Sequence, residues 1–305
     1  MTRRLLPHQT DQRFLVYAGT GTDLIFNRGI DLPGFASFPL VEKADTRAVL
    51  VQQMRELIDV AQRAGLGAII DTPTWTANRD RAAPLNYGPD RLVDINRQAV
   101  SMMRDLRDSA AAENVLLALC LGPARDPYNT DDPLGVDTAR DYHRVQIETV
   151  RDLGIDLVNA YTFNKIDEAA GAVLAAADLD VPVALSLVVE TDGRLDDGTP
   201  VADAIEQIDA LTQNAAAYFM INCAHPDHFA RALTGTPRLK GIVANASRCS
   251  HAELDDASSL DDGDPDELGR QIAELTSVFP ALSVLGGCCG TDMRHMARIA
   301  EGVAP

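Results

Sequence analysis

Short apolar segments and longer amphipathic segments alternate along almost the whole chain. The segment Val115–Leu121 is apolar throughout, which is typical of a strand that is buried on both faces. The segment Thr46–Ala64 instead repeats its apolar residues at helical spacing and stops at Gly65. A second amphipathic segment, Thr138–Leu153, stops at Gly154 in the same way, because glycine readily ends a helix. The pattern therefore predicts strands and helices that follow one another in turn.

Eight strand–helix units can be assigned in this way. The predicted strands are Phe14–Gly19, Gly67–Thr72, Val115–Leu121, Asp156–Thr162, Val181–Val189, Ala216–Asn222, Gly241–Ala246 and Leu282–Leu285. The predicted helices are Thr46–Ala64, Asp90–Ala112, Thr138–Leu153, Asp167–Ala177, Val201–Ala215, Pro226–Leu233, Pro265–Val278 and Thr291–Gly302. Between the fifth strand and its helix, Asp-Gly steps in Thr191–Pro200 predict an excursion with tight turns.

Alternating units of this kind predict a parallel sheet, and eight of them in 305 residues fit a closed (β/α)8 TIM barrel. No composition break marks a boundary, so residues 1–305 are expected to form a single domain. A doubly wound open sheet is the alternative. The loop Ala18–Thr22 carries neither a GxGxxG fingerprint nor a Walker lysine, which favours the barrel.

The net charge of −18 indicates that nucleic acids and anionic membranes are not partners. The excess of acidic residues fits either surface solubility or a high-salt habitat. No apolar stretch reaches the ~18 residues that a membrane span requires, and Met1–Thr10 lacks the pattern of a signal peptide. Five cysteines in a chain of this length do not suggest a disulfide framework. We therefore expect a cytoplasmic protein with reduced thiols.

Three cysteines lie where predicted strands end. Cys223 follows the sixth strand, and the adjacent pair Cys288 and Cys289 follows the eighth, between glycines. In a (β/α)8 barrel both positions lie on the rim that carries active sites. Adjacent cysteines are poorly placed for a disulfide with each other, but three converging thiolates can bind zinc and leave one position open, as in a catalytic site. Cys120 and Cys249 are instead predicted to be small buried hydrophobes.

Two motifs around these cysteines resemble a known family. Asn222-Cys223 followed by His225-Pro226, and the run Gly286–Thr291, look like the zinc motifs of the homocysteine S-methyltransferase family, and Gly21-Thr22 resembles its N-terminal Gly-Thr. The resemblance extends over nearly the whole chain. It implies a barrel in which three cysteines hold Zn²⁺ and the thiol of homocysteine takes the fourth position. That thiol would then attack a methyl group on an activated donor.

The resemblance is interrupted at two positions. The family has Asp-Gly before its first glycine, where this chain has Tyr17-Ala18, and a Glu-Thr step after strand four, where this chain has Tyr161-Thr162. In the family these acids help to hold the amino group of homocysteine. A tyrosine can accept a hydrogen bond or face a cation with its ring. The zinc site is therefore predicted more directly than the acceptor.

Further rim residues are candidates for substrate contact. The predicted substrate-binding set is Gly21, Thr22, Thr72, Thr74, Tyr161, Ser186, Asn222 and Asn245, with Tyr17, Trp75 and Glu190 as additional candidates. His225 is expected to cap a helix or to support a metal ligand through a hydrogen bond. His143 is expected to be structural, and no motif supports His251 or His295 as a ligand.

Taken together, the sequence predicts a zinc-dependent methyltransferase with no catalytic group beyond the zinc site. Its partners would be a small-molecule thiol, homocysteine by default, and a methyl donor such as S-methylmethionine or S-adenosylmethionine. The alternatives are a methyltransferase for another thiol, a zinc enzyme with another reaction, and a non-catalytic zinc-containing barrel that binds a small molecule. The oligomeric state is not predicted.

Overall fold

The computed structural model describes residues 4–128, 133–233 and 236–305. Its strands are β1 Phe14–Tyr17, β2 Gly67–Asp71, β3 Val115–Leu121, β4 Leu157–Phe163, β5 Val183–Leu187, β6 Tyr218–Asn222, β7 Leu239–Ala244 and β8 Val284–Gly287. Each strand pairs in parallel with the next, and β8 pairs with β1, so that the sheet closes into one eight-stranded barrel. The predicted (β/α)8 barrel is confirmed.

The helices surround this barrel. They are α1 Thr20–Thr22, α2 Ala44–Arg63, α3 Arg79–Ala82, α4 Pro89–Ser109, α5 Val136–Val150, α6 Ile166–Ala177, α7 Val201–Thr212, α8 Pro226–Phe229, α9 His251–Asp255, α10 Pro265–Val278 and α11 Met293–Val303. A π-helical turn, Asp23–Asn27, extends the first loop, and short 3-10 turns occur in several connections. In the part of the chain that the structure describes, no helix combines enough length with enough hydropathy to cross a membrane.

The uninterrupted apolar pattern of the strands has a direct structural cause. On β3, Leu116 and Ala118 face the barrel interior, whereas Leu117 and Leu119 pack in the layer between strands and helices. Both faces of the strand are therefore buried, and neither face needs polar residues. The layer between strands and helices is the larger apolar cluster, and the barrel interior is the smaller one.

Most predicted elements agree with the structure to within three residues at each end, and the largest difference is at the end of the helix after β6. The last strand begins at Val284 and extends through Gly287, rather than covering Leu282–Leu285. The helix after β6 ends at Phe229, four residues before the predicted end. In the excursion after β5, Arg194 and Pro200 form an antiparallel bridge, and Gly193 and Gly198 have positive φ angles, as tight turns require.

Candidate active site

The three rim cysteines converge at the carboxyl ends of β6 and β8. Their Sγ atoms all lie within 4.8 Å of one another, and those of Cys223 and Cys289 are 3.5 Å apart. A tetrahedral ion with Zn–S bonds of ~2.3 Å would separate two of its sulfurs by roughly 3.8 Å. Cys223 and Cys288 are buried, and Cys289 is half-buried. The spacing and the donor set therefore fit one zinc ion.

The backbone holds Cys223 in an uncommon conformation. Its φ angle is +58°, a region that non-glycine residues rarely adopt. Its carbonyl oxygen accepts hydrogen bonds from Asn245 Nδ2 at 3.1 Å and from His251 Nε2 at 2.7 Å. The second contact requires a hydrogen on Nε2 of the His251 ring, because a carbonyl oxygen can only accept. These two side chains keep the strained turn in place, and with it the direction of the Cys223 thiol.

The loop that carries Cys288 and Cys289 is fixed by its neighbours on both sides. Toward β7, the Cys288 amide donates to Ala244 O at 2.7 Å. Toward the first loop, Thr22 Oγ1 accepts from the Gly290 amide at 3.1 Å. A Cβ atom on Gly19 would lie 2.6 Å from the Cys288 carbonyl oxygen, so a side chain there would force the two loops apart. The first loop thus braces the cysteine loop.

Without a metal, the three thiols share their protons unequally. Hydrogen bonds from the Cys288 and Cys289 thiols hold the pKa of Cys223 well below its usual range. The Cys223 thiolate in turn raises the pKa of Cys288 and of Cys289, with burial acting in the same direction. The cluster therefore favours one thiolate, and a bound cation would be needed to favour all three.

A cavity of about 300 Å³ opens directly beside the cysteines. Several predicted candidates line it together with the three thiols: Tyr17, Gly21, Thr72, Trp75, Tyr161 and Asn222. A second cavity of about 180 Å³ shares Cys223 and Cys289 with the first, and Thr22 and Asn245 line it. The cysteines therefore lie between two spaces, each large enough to admit part of a small molecule.

Most polar atoms of the predicted candidates already have partners within the protein. Tyr17 Oη donates to Thr291 O at 2.9 Å. Asn222 binds both the amide and the hydroxyl of Thr162, each at 2.9 Å, and Thr162 has a φ angle of +69°. Thr72 Oγ1 accepts from the Cys120 amide at 3.0 Å. These contacts give the residues a role in shaping the cavity wall.

Three candidates lie elsewhere. Thr74 is fully buried and donates its hydroxyl to Cys120 O at 2.7 Å, and it lines neither cavity. Ser186 is fully buried as well, and its hydroxyl has no hydrogen-bond partner in the described structure. The Glu190 carboxylate is half-exposed, 3.4 Å from His251 Nδ1. None of these three side chains lines either of the two cavities beside the cysteines.

The expectations for the remaining cysteines and histidines had mixed outcomes. Cys249 is exposed, so the prediction of a small buried hydrophobe was wrong; it lies in the loop that leads to α9. Cys120 is buried, as expected, and one side of it lines the larger cavity. His225 caps α8, because its Nδ1 accepts from the Asp227 amide at 3.2 Å. His143 is buried against Glu168 at 3.1 Å, which agrees with a structural role.

Sequence reasoning missed several residues that the structure brings to the site, among them Tyr128, which lines both cavities. Asp71 ends β2 and lines the larger cavity, as does Arg81 from α3, and His251 holds the Cys223 carbonyl. Asp71 carried a usable signal, since a carboxylate at the end of a buried strand lies on the rim of a barrel. Arg81 lies ten positions further on, in the short helix α3, and nothing in the local sequence directs it toward the cavity.

Comparisons with known proteins agree with this geometry. The family model for homocysteine S-methyltransferase matches residues 20–303. Three crystal structures of the homocysteine methyltransferase MmuM from Escherichia coli have the same fold: the oxidised form (TM-score 0.75, 20% identity, 97% of each chain covered), the metallated form (0.72, 19%, 96% of each) and the apo form (0.67, 19%, 97% of this chain and 98% of that one). At this identity the structures establish a shared fold, whereas the family model identifies the family. The chain belongs to the homocysteine S-methyltransferase family and is a methyltransferase.

Proposed function

We propose that this protein is a zinc-dependent S-methyltransferase that moves a methyl group from a sulfonium donor to the thiol of homocysteine, giving methionine. The observation that carries the proposal is the convergence of three thiols within 4.8 Å of one another beside a cavity of about 300 Å³. Family membership supports methyl transfer, and the donor set supports zinc.

Cys223, Cys288 and Cys289 would hold the metal. Zinc bound there would lower the pKa of a coordinated thiol, normally ~8.5, so that the thiolate is present at neutral pH. The protein fixes the directions of the ligands through Asn245 and His251, which hold the Cys223 carbonyl. Burial of the cluster also keeps bulk water away from the reacting sulfur.

Methyl transfer is a single displacement. The acceptor sulfur, having lost its proton to solvent, forms a bond to the methyl carbon as the bond from that carbon to the donor sulfur breaks. The electron pair of the broken bond leaves with the donor, which becomes a neutral thioether. A sulfonium such as S-methylmethionine or S-adenosylmethionine carries the positive charge that makes this leaving group good. Aromatic side chains in the cavity wall, among them Tyr17, Trp75 and Tyr161, suit a cation of this kind.

Metal analysis combined with a methyl-transfer assay tests the proposal. Wild-type protein should carry one zinc ion per chain and convert homocysteine to methionine with one of the two sulfonium donors. In Cys288→Ser the affinity for zinc and the activity should both fall by roughly 100-fold, because one thiolate ligand is lost. Cys249→Ser is the matched control; it removes an exposed thiol that lies outside the cluster and should leave both unchanged.

Two results would count against the proposal. Stoichiometric zinc without turnover over a panel of thiols and methyl donors would favour the non-catalytic zinc-containing barrel. Turnover that survives in Cys288→Ser would show that the cysteine cluster does not carry the reaction.

A further inference from the structure

Asp71 is a buried carboxylate whose described partners are both neutral. It is the last residue of β2, its exposure is 7%, and it lines the larger cavity. Tyr161 Oη donates to its Oδ2 at 3.0 Å, and Asn159 Nδ2 donates to its Oδ1 at 2.8 Å. A carboxylate buried without a cation is costly in free energy, so a site of this kind favours a ligand that brings a positive charge.

Arg81 offers the opposite charge to the same cavity. Its guanidinium lies over the ring of Trp75, 4.4 Å from the ring centroid, and both residues line the cavity. Its Nη1 atom is buried and has no hydrogen-bond partner in the part of the chain that the structure describes. An arginine keeps its charge in proteins and can bind a carboxylate with two parallel hydrogen bonds. An anionic group of a ligand that bound against Arg81 would give this buried donor the partner that it lacks.

The two charged side chains belong to one continuous wall. Asp71 contacts the Tyr161 hydroxyl, and the Tyr161 carbonyl accepts from Trp75 Nε1 at 3.3 Å. Trp75 in turn supports the Arg81 guanidinium. The cavity therefore contains a thiol cluster, an acid without a cation, and a guanidinium with one unpartnered donor. A second carboxylate, Asp126, also lines the cavity, and its charge acts on Arg81. A thiol-bearing α-amino acid carries the three complementary groups.

We propose that Asp71 binds the α-ammonium group and Arg81 the α-carboxylate of the acceptor amino acid while its thiol lies at the cysteine cluster. The inference rests on the proposed function. It also accounts for one of the two positions where this chain departs from the family. The acids expected at positions 17 and 161 are tyrosines here, and Asp71 lies one hydrogen bond from the Tyr161 phenol. Asp71, at the end of β2, can therefore supply the negative charge that position 161 lacks.

Ligands that lack one group at a time test this assignment. Trp75 is the only tryptophan of the chain and lines the cavity, so its fluorescence can report binding directly. Zinc-loaded protein would be titrated with homocysteine, with 4-sulfanylbutanoate, which lacks the ammonium, and with 3-sulfanylpropan-1-amine, which lacks the carboxylate. Wild type should bind homocysteine most tightly, since only homocysteine satisfies both charged side chains.

The variants should then lose affinity selectively. Asp71→Asn should weaken homocysteine and 3-sulfanylpropan-1-amine about 10- to 100-fold while leaving 4-sulfanylbutanoate unchanged, because one charge-assisted contact is lost. Arg81→Gln should weaken homocysteine and 4-sulfanylbutanoate by a similar factor and spare the amine. Asp105→Asn, which removes a 75% exposed carboxylate of α4, controls for the change in net charge.

Three outcomes would overturn the inference. If Asp71→Asn weakens all three thiols equally, its role is structural. If it raises KM for the sulfonium donor and not for homocysteine, the carboxylate binds the donor. If Arg81→Gln leaves every affinity unchanged, the guanidinium does not bind the acceptor. Because binding is measured separately from turnover, failure of methyl transfer in wild type would contradict the proposed function without deciding this assignment.

Discussion

The Asp71 carboxylate links the site to the stability of the fold. Burial raises its pKa from 3.8 to about 7, although the hydrogen bonds from Asn159 and Tyr161 act in the opposite direction. The other titratable groups around it, Cys120, Tyr161 and Tyr218, have pKa values that are themselves raised, so they stay neutral near pH 7. Between pH 4 and pH 7 the folded protein therefore holds a proton that the unfolded chain has released.

The sign of the resulting pH dependence follows from that difference. Where the folded state binds more protons, stability falls as the pH rises. Asp71→Asn removes the titrating group, so its stability relative to wild type should increase by up to about 3 kcal/mol from pH 5 to pH 8. Urea unfolding of the zinc-loaded wild type and variant at both pH values measures this difference in the free energy of unfolding. The cysteines titrate in both proteins, so their contribution to the pH dependence cancels when the variant is compared with wild type.

Asp105→Asn is again the control for the loss of one negative charge at an exposed position. A flat difference for Asp71→Asn would mean that Asp71 is already ionised at pH 5 in the folded protein. That result would also remove the argument that a ligand cation is needed to balance this carboxylate.

At the scale of single residues, the sequence indicated which cysteines converge but not what holds them. Cys223, Cys288 and Cys289 could be selected because strand ends of a barrel share a rim. The partners of Cys223 could not, since Asn245 and His251 reach its carbonyl only through the path of the loop after β7. Asp71 could have been selected by the same rule that selected Thr72, and Arg81 could not.

At the scale of the element, strand β8 requires glycine at position 286. Gly286 pairs with Val16 of β1 and with Val243 of β7. A Cβ atom on Gly286 would overlap the Val16 carbonyl oxygen. Glycine is therefore needed for β1 to approach β8 closely and close the barrel, and the same strand leads directly to Cys288. The predicted strand ended before this glycine because glycine weakens an isolated strand pattern; pairing on both sides overrides that preference.

Gly286→Ala should accordingly destabilise the protein by at least about 2 kcal/mol, because the added methyl group must displace backbone. It should also lower the zinc content, since β8 positions Cys288. Gly88→Ala is a matched control, because a Cβ atom there would have no neighbour within 4 Å and φ is −72°; its cost should stay below about 1 kcal/mol. Urea unfolding and zinc analysis of both variants measure the contrast. Equal losses would show that closure at β8 tolerates a side chain.

At the scale of the whole molecule, alternation alone was enough to predict eight units and their closure. The units follow one another around the barrel in sequence order, so no long-range pairing had to be guessed. The site is different, because its residues come from the ends of β2, β4, β6 and β8 and from the loops between them. Their side-chain contacts depend on loop conformations that no periodicity encodes. The fold was thus predictable in outline, and the roles within the cavity required coordinates.

The acidity of the molecule leads to a further expectation about its stability. The chain has 45 acidic residues against 27 lysines and arginines, a net charge of −18, so that its charges repel one another on balance. Raising KCl from 0.01 M to 0.1 M shortens the Debye length from about 30 Å to about 10 Å. Long-range repulsion should weaken over this range, and Tm at pH 7.5 should rise by a few degrees.

Repeating the salt series at pH 4.6 separates this effect from others, because the net charge is then close to zero and Tm should hardly respond. Ion pairs on the surface act in the opposite direction, since salt screens their attraction as well. Each exposed pair contributes about 1 kcal/mol or less, so net repulsion is expected to dominate. A Tm that falls with KCl at pH 7.5 would show instead that the surface ion pairs outweigh the net repulsion. A Tm that keeps rising above 1 M KCl, where long-range charge is already screened, would indicate adaptation of the surface to high salt.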